Sequence, residues 1–262
     1  MRRFYQEGWQ GIQFSAFTHV SFFRLAGPKF YATFYEELFR RYNSWKELPR
    51  QWRAVKEASA RWMAALLLRL RQERALREEE PSRALSIGCG VGYLEKCLLE
   101  YLPGLELHLN DISTAGLRWM RERVPNERIY IGMPPNCLPS AVRYDVIYIA
   151  NIDHVIPTRQ FVRLLEELRA QLLPGGRIVC LSSSLLKEEN AFGQAVNCFK
   201  IGLRAILHLL GLRRQQFWGW RRSREEYQDV FRQAGLINVE DGLVDQGVAE
   251  EGFETYFICG EE

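Results

Sequence analysis

The sequence predicts an α/β fold in which a parallel sheet is covered by helices on both faces. After Pro81, short apolar runs typical of buried strands alternate with amphipathic helical patterns. The connections between them are short, which favours parallel strands. Three glycines on alternate positions, from Gly88 to Gly92, directly follow the first of these runs, and Asp111 ends the second run. Together these observations place a ligand site at one edge of the sheet.

Seven apolar runs are predicted to be strands. They lie at about residues 84–88, 105–110, 128–132, 144–150, 177–182, 236–245 and 252–259. We expect helices between the first five strands. The last two runs have no room for a helix between them, so they should form a hairpin.

The glycine run and the acid after the next strand indicate the kind of ligand. A strand, a glycine turn and a helix N-terminus present backbone N–H groups to a bound molecule without a Cβ in the way. An acid about twenty residues downstream can accept both hydroxyl hydrogens of a ribose. The pattern therefore predicts a nucleoside-containing cofactor. The alternatives are a plain tight turn and, for Asp111, a cap of the next helix, although Ser113 suits that role better.

The spacing of the glycines and three further segments resemble one known family. The dinucleotide fingerprint would require a third glycine where this chain has Tyr93. The run 88–92 instead resembles motif I of class I S-adenosylmethionine-dependent methyltransferases. The run 144–150 is similar to the family's fourth strand, 172–179 to its LxPGGxhhh turn and strand, and 234–236 to its ending. The resemblance covers roughly residues 80 to 262.

The resemblance implies a Rossmann-like seven-stranded methyltransferase sheet with an antiparallel last strand. It also implies S-adenosylmethionine as cofactor, S-adenosylhomocysteine as product, and methyl transfer to an O, N or C atom of a small or medium-sized acceptor. The cofactor would lie beyond the carboxyl ends of the strands. The residues expected to bind it are Ser86, Gly88, Cys89, Gly90, Gly92, Asp111, Ile112, Met133, Pro134 and Asn151.

Two positions depart from the family pattern. Ser86 stands where the family usually has an acid that helps hold the methionine end of the cofactor. After the third strand, Met133 and Pro134 stand where many relatives carry an acid that contacts adenine. These departures favour an alternative, a non-catalytic or partner-binding protein on the same fold, whereas the glycines and Asp111 favour an enzyme.

The exit of the fourth strand is where the family brings groups near the transferred methyl. His154 is the natural general base if the acceptor must lose a proton, and Asp153 could orient it or help neutralise an amine acceptor. The alternative is a structural histidine that holds the loop or touches the cofactor without proton transfer. The donor is already activated, so positioning supplies much of the rate.

The chain divides near residue 80 into two parts. Residues 1–80 form a helical, aromatic-rich extension that either folds over the cofactor or only docks onto the sheet, and 81–262 form the methyltransferase-like domain. An insertion at about 185–222 resembles the family's substrate lid. From Lys200 to Arg224 there are seven basic residues and no acid. This suggests an anionic or aromatic acceptor, or contact with a membrane surface or a lipid-linked substrate. The alternatives are a solvated basic face with core aromatics and a dimer contact.

Composition agrees with a cytoplasmic enzyme that uses a small-molecule substrate. The net charge of +3 is too small to indicate nucleic-acid binding. The six cysteines are scattered without C-x-x-C spacing, so we expect free thiols in a reducing compartment rather than disulfides or a metal site. The longest apolar stretches are too short to span a bilayer.

Overall fold

The computed structural model describes residues 1–73, 82–186, 191–244 and 254–262. The strands are β1 (Arg2–Gln6), β2 (Gly8–Trp9), β3 (Ile12–Gln13), β4 (Arg83–Ile87), β5 (Glu106–Asp111), β6 (Ile129–Ile131), β7 (Tyr144–Ala150), β8 (Leu172–Ser182), β9 (Gln216–Arg221), β10 (Ile237–Leu243) and β11 (Tyr256–Glu261). The helices are α1 (Pro28–Arg41), α2 (Arg50–Glu73), α3 (Tyr93–Tyr101), α4 (Thr158–Arg169), α5 (Ala191–Leu209) and α6 (Arg224–Gln233).

The main sheet has seven strands in the order β10-β11-β8-β7-β4-β5-β6. The five strands from β6 to β8 in this order are parallel to one another. Strand β11 runs antiparallel to both β8 and β10. Every residue of β7 but the last is buried, as is expected of a strand covered on both faces. The seven-stranded Rossmann-like sheet with its antiparallel last strand is therefore confirmed.

Each of the seven predicted strands has an observed counterpart in this sheet. Strand β8 starts at Leu172, earlier than expected, because the Leu-Leu-Pro-Gly-Gly segment already joins the ladder next to β7. The hairpin of β10 and β11 is also confirmed. Positions 245 and 252–253 of the predicted last strands lie outside the described residues.

The expectation of a helix on either side of β6 is wrong. Between β5 and β6 the chain forms only the short 3-10 turns Gly116–Trp119 and Asn126–Arg128. Between β6 and β7 it forms no helix, and this segment contains Pro134, Pro135 and Pro139. Proline lacks the backbone N–H that a helix interior requires, so this stretch follows an irregular path.

The N-terminal extension is not purely helical, which corrects the prediction for residues 1–80. Strand β1 pairs antiparallel with β9 of the insertion, with Arg2 opposite Arg221 and Gln6 opposite Gln216. No local pattern reveals a partner more than two hundred residues away. The predicted helices at α1 and α2 are present; the predicted end of α2 near Glu79 lies outside the described residues.

Three apolar cores hold these layers together. One lies between the sheet and α2 and α3, and a second lies between the opposite face of the sheet and α4 and α6. The third is an aromatic core of the N-terminal extension, to which β9 contributes Trp218. The Phe14 ring stacks with Trp218 and contacts the rings of Phe30 and Phe34 edge to face. Most of the aromatics of the extension therefore dock it onto the domain.

All six cysteines are free thiols, as expected. In the part of the chain that the structure describes, no helix combines the length and the apolar character needed to cross a membrane.

Candidate cofactor and active site

The glycine turn after β4 has a backbone that other residues would strain. Gly88, Gly90 and Gly92 have φ values of +72°, +57° and +69°. A Cβ on Gly92 would lie 2.0 Å from Cγ of Met120, and one on Gly90 would lie 2.8 Å from the hydroxyl of Tyr35. The glycines are therefore required both by conformation and by the close approach of other elements.

Asp111 ties this turn to the end of β5. The side chain is 5% exposed. Its Oδ2 accepts a hydrogen bond from the Gly90 N–H at 2.8 Å, and its Oδ1 accepts one from the Ser113 N–H at 2.9 Å. Burial raises the pKa of Asp111, and these backbone donors oppose that shift. A carboxylate oxygen has two lone-pair sites, so each oxygen can also accept from a hydroxyl. In the described segment between β5 and β6 no α-helix begins, so Asp111 does not cap one.

Two tyrosines of α1 stand over this turn. Burial and the charge of Asp111 raise the pKa of both Tyr31 and Tyr35. Tyr31 and Cys89 are each half-buried, and the hydroxyl of Tyr35 lies against Gly90. Helix α1 therefore packs directly over the glycine turn.

A buried acid that the sequence analysis missed lies close to Ser86. Glu95, in the first turn of α3, is 1% exposed. Ser86 donates a hydrogen bond to its Oε1 at 2.6 Å, and the Tyr148 hydroxyl donates another at 3.2 Å. Burial raises the pKa of Glu95, and the two hydroxyl donors oppose this. An acid on the otherwise apolar buried face of α3 was the signal that could have revealed it.

A lysine of α2 faces the same region. Burial lowers the pKa of Lys56 to about 8, while the charges of Glu95 and Asp153 act in the opposite direction. Its Nζ lies 5.9 Å from the centroid of the Trp52 ring. Lys56 is half-buried. No residue of the described ranges forms a hydrogen bond or an ion pair with it.

His154 lies in the short turn Asp153–Val155 after β7, beneath aromatic rings. It is 4% exposed, with ring centroids 5.6 Å from Phe4 and 6.0 Å from Trp218. Burial lowers its pKa to about 4, so the imidazole is neutral at pH 7. Neither ring nitrogen has a hydrogen-bond partner in the described part of the protein. The insertion covers this turn, since Gly219 of β9 lies against the His154 backbone.

Asp153 belongs to a separate buried network. It is fully buried, and its Oδ2 accepts hydrogen bonds from Ser182 at 2.8 Å and from Tyr227. The buried Arg222 donates to the backbone carbonyl of Asp153 at 2.7 Å. Sequence reasoning missed these partners, which hold the carboxylate towards β8 and α6. Asp153 is not hydrogen-bonded to His154.

The remaining predicted cofactor residues lie at the carboxyl ends of adjacent strands. Asn151 follows β7 with φ +60° and accepts a hydrogen bond from the Ser183 N–H at 2.9 Å. Ile112 follows Asp111 directly. Met133 and Pro134 follow the edge strand β6, where Met133 is 66% exposed. The topology thus brings all four strand exits to one edge of the sheet.

This sheet order, with a glycine turn and an acid at neighbouring strand ends, defines the class I methyltransferase fold. Residues 85–178 match the family described as a methyltransferase domain. This match spans about a third of the chain and agrees with the sequence resemblance to class I S-adenosylmethionine-dependent methyltransferases. No curated protein sequence matches the chain.

Solved structures share the fold at low sequence identity. Magnesium protoporphyrin IX methyltransferase (ChlM) from Synechocystis PCC 6803, with bound S-adenosylhomocysteine, is similar with a TM-score of 0.56 and 12% identity, over 89% of this chain and 95% of that one. A candidate O-methyltransferase from Nostoc punctiforme PCC 73102 gives a TM-score of 0.54 and 15% identity over 89% of this chain. The chain spans only 60% of the length of the Nostoc protein.

Mitomycin 7-O-methyltransferase MmcR is similar with a TM-score of 0.53 and 18% identity. The match covers 95% of this chain and 63% of MmcR. At these identities the comparisons show the fold and do not identify an acceptor.

Proposed function

We propose that this protein binds S-adenosylmethionine and transfers its methyl group to an O, N or C atom of a small or medium-sized acceptor. We infer that the cofactor cleft lies between α1 and the ends of β4 and β5, and the arrangement of groups there is the observation that supports the proposal best. There Asp111 and the glycine turn are joined by a hydrogen bond, and α1 closes over them.

The residues of the cleft fit the cofactor. Asp111 would accept the ribose hydroxyls, the glycine turn would lie against the nucleoside, and Tyr31 and Tyr35 would cover it. The cofactor supplies a methyl group already activated on a sulfonium. The chain's own work is to orient the acceptor in line with that group and to exclude water. The aromatic core that seats α1 and β9 over the cleft serves both purposes.

The surroundings of His154 favour an aromatic acceptor over an anionic one. Phe4 and Trp218 provide ring surfaces at this turn. Several basic groups of the insertion are already engaged: Arg213 pairs with Glu7, and Arg222 bonds to backbone carbonyls. His154 is neutral and can accept a proton from a hydroxyl acceptor. The charge of the nearby Asp153 raises the pKa of His154 and would favour its protonated form.

The second candidate, a partner-binding protein on the same fold, rested on Ser86 and Met133. Ser86 no longer favours this second candidate, because Glu95 supplies a buried acid beside that serine. The exposed Met133 still distinguishes this chain from relatives with an acid there.

Calorimetric titration with S-adenosylmethionine, S-adenosylhomocysteine and NADH tests the proposal. We expect both sulfur compounds to bind and NADH not to bind. Asp111→Ala should weaken both by about 10- to 100-fold, since a charged hydrogen-bond acceptor is lost. Asp229→Ala, which removes a carboxylate from an exposed face of α6, is the matched control and should bind normally. Failure of the wild-type protein to bind either sulfur compound would leave the partner-binding role.

We also propose that α5 rests on an anionic lipid surface. Its apolar stripe points away from the protein, with Phe199 72%, Leu203 46% and Ile206 55% exposed. Helix α5 itself carries Lys200 and Arg204 and no acid. A helix with an exposed apolar face and basic surroundings suits the interface of an anionic bilayer. A lipid-linked acceptor would reach the cleft from there.

Co-sedimentation with vesicles tests this surface. Vesicles of phosphatidylcholine and phosphatidylserine should bind the protein more strongly than phosphatidylcholine alone. Leu203→Ser with Ile206→Ser should abolish the binding, and Leu243→Ser, on an exposed position of β10, should not. A wild-type dimer that ignores vesicles and is dissociated by the double substitution would instead make this face a contact between copies.

A further inference from the structure

We propose that Arg222 is a positioning residue for His154, which fixes the imidazole by clamping the turn that carries it. This inference rests on the proposed function, in which His154 accepts a proton from the acceptor. Arg222 directly follows β9. The insertion would therefore act on the acceptor site through a residue that does not touch the acceptor.

The hydrogen bonds of Arg222 end on both sides of His154. Its Nη1 donates to the backbone carbonyl of Asp153 at 2.7 Å, and its Nη2 donates to the carbonyl of Ile156. Arg222 is fully buried, and its guanidinium lies over the Phe161 ring at 5.2 Å from the centroid. A buried charge is costly unless its donors are satisfied, and here backbone carbonyls of the turn satisfy them. Arg222 and the turn therefore hold each other in place.

The ring of His154 is oriented without hydrogen bonds of its own. Neither of its nitrogens has a partner among the described residues, and both are shielded from solvent. A general-base histidine is usually oriented by a carboxylate that binds its second ring nitrogen. Here the Asp153 carboxylate is held by Ser182 of β8 and Tyr227 of α6 instead. The direction of the ring is therefore set by the backbone of the turn and by packing.

Strand β9 provides a second contact with the same turn. Gly219 has φ +154°, and a Cβ there would lie 2.1 Å from the carbonyl oxygen of His154 and 3.1 Å from Cδ2 of its ring. The neighbouring Trp218 ring stacks with the imidazole, with centroids 6.0 Å apart. Because Gly219 and Arg222 lie in one short segment and touch the turn at different atoms, a shift of either contact should move the imidazole.

Displacement of the turn has a measurable signature. Burial is the main reason that the pKa of His154 lies at about 4, and the charges that act on it are those of Asp153, Arg222 and Lys56 of α2. Opening the turn to water would remove that burial and raise the pKa. Loss of the Arg222 charge would raise it too, so the deciding variants keep that charge.

The test is an NMR titration of the imidazole nitrogens in protein labelled with ¹⁵N-histidine. The chain has four histidines, and His154→Phe assigns the signal of His154. Arg222→Lys keeps the charge but loses the planar fork that spans two carbonyls, and Gly219→Ala keeps Arg222 itself. Each should raise the pKa of His154 from about 4 to above about 5.

Leu165→Ala is the matched control for lost stability. It removes a buried side chain of α4 from the core beneath this turn and leaves both contacts with the turn in place. It should lower the melting temperature and leave the titration of His154 unchanged. Circular dichroism melting of every variant verifies that the protein is folded at the titration temperature.

Each contrary outcome has a distinct meaning. Wild-type titration in both Arg222→Lys and Gly219→Ala would overturn the positioning role, and so would an equal rise in Leu165→Ala. A rise in Gly219→Ala alone would assign the clamp to β9 and overturn the role of Arg222. The proposed function is tested separately, because a wild type that does not bind S-adenosylmethionine by calorimetry refutes it whatever the titrations show.

Discussion

His154 shows how burial sets the chemistry that a side chain can offer. An exposed histidine titrates near neutral pH, but the rings of Phe4 and Trp218 and the backbone of β9 enclose this one and lower its pKa to about 4. It is therefore a neutral imidazole under physiological conditions. As a general base it would be weaker than the sequence alone suggested, and it would need the acceptor to fill the space beside its ring nitrogens.

The buried His154 should make stability depend on pH. In the unfolded chain its pKa returns to about 6.5, so below that pH the unfolded state binds a proton that the folded state excludes. The free energy of unfolding should therefore fall by up to about 3 kcal/mol as the pH drops from 6.5 to 4. Urea unfolding at several pH values measures this. His154→Phe, which keeps a ring beneath Trp218, should lose that part of the slope.

The difference in pH dependence between the wild type and His154→Phe isolates the contribution of His154, because Glu95 and Asp111 are present in both proteins. Their pKa values are raised by burial, so their own contribution to the slope has the opposite sign. Equal slopes for wild type and His154→Phe would mean that His154 is not enclosed as described.

At the scale of elements, α6 begins at a cap whose two residues form a local sequence pattern. Ser223 accepts a hydrogen bond from the Glu226 N–H at 3.2 Å, and the Glu226 side chain accepts one from the Ser223 N–H at 2.9 Å. This is the capping box that Ser223 and Glu226 indicate. By contrast, β9 and its pairing with β1 depend on contacts that no local pattern encodes.

Loss of the cap should destabilise the protein. Ser223→Ala should lower the free energy of unfolding by about 1 kcal/mol, because the Glu226 N–H loses its acceptor. Chemical denaturation with a two-state fit measures the change. Ser140→Ala, in an exposed loop, should stay within about 0.5 kcal/mol of the wild type. A similar loss in both variants would show that the cap is not the cause.

At the scale of the whole molecule, the proposed cofactor site combines both parts of the chain. The glycine turn and Asp111 belong to the domain, while the hydroxyl of Tyr35 reaches the turn from α1. The aromatic core around Phe14 and Trp218 holds the extension in place. Ligand binding should therefore be felt in the N-terminal helices as well as in the sheet.

Hydrogen exchange can detect this coupling. With saturating S-adenosylhomocysteine, amides in α1 and in the first half of α2 should exchange more slowly, because the ligand would fill the space beneath them. Amides in α6, on the opposite face of the sheet, should be unchanged. Protection confined to the glycine turn would contradict the role of the extension. The Asp111→Ala variant at the same ligand concentration is the control.

The sequence by itself determined the seven strands of the sheet, the glycine turn, the position of Asp111 at the end of β5 and the cap of α6. These features depend on periodicity, on glycine at positive φ and on capping patterns, all of which are local. Only the tertiary structure decided that Glu95 lies beside Ser86, that β1 pairs with β9, and that His154 is enclosed. Each of these depends on contacts between residues distant in the chain, and burial and charge at such contacts arise only when the chain is folded.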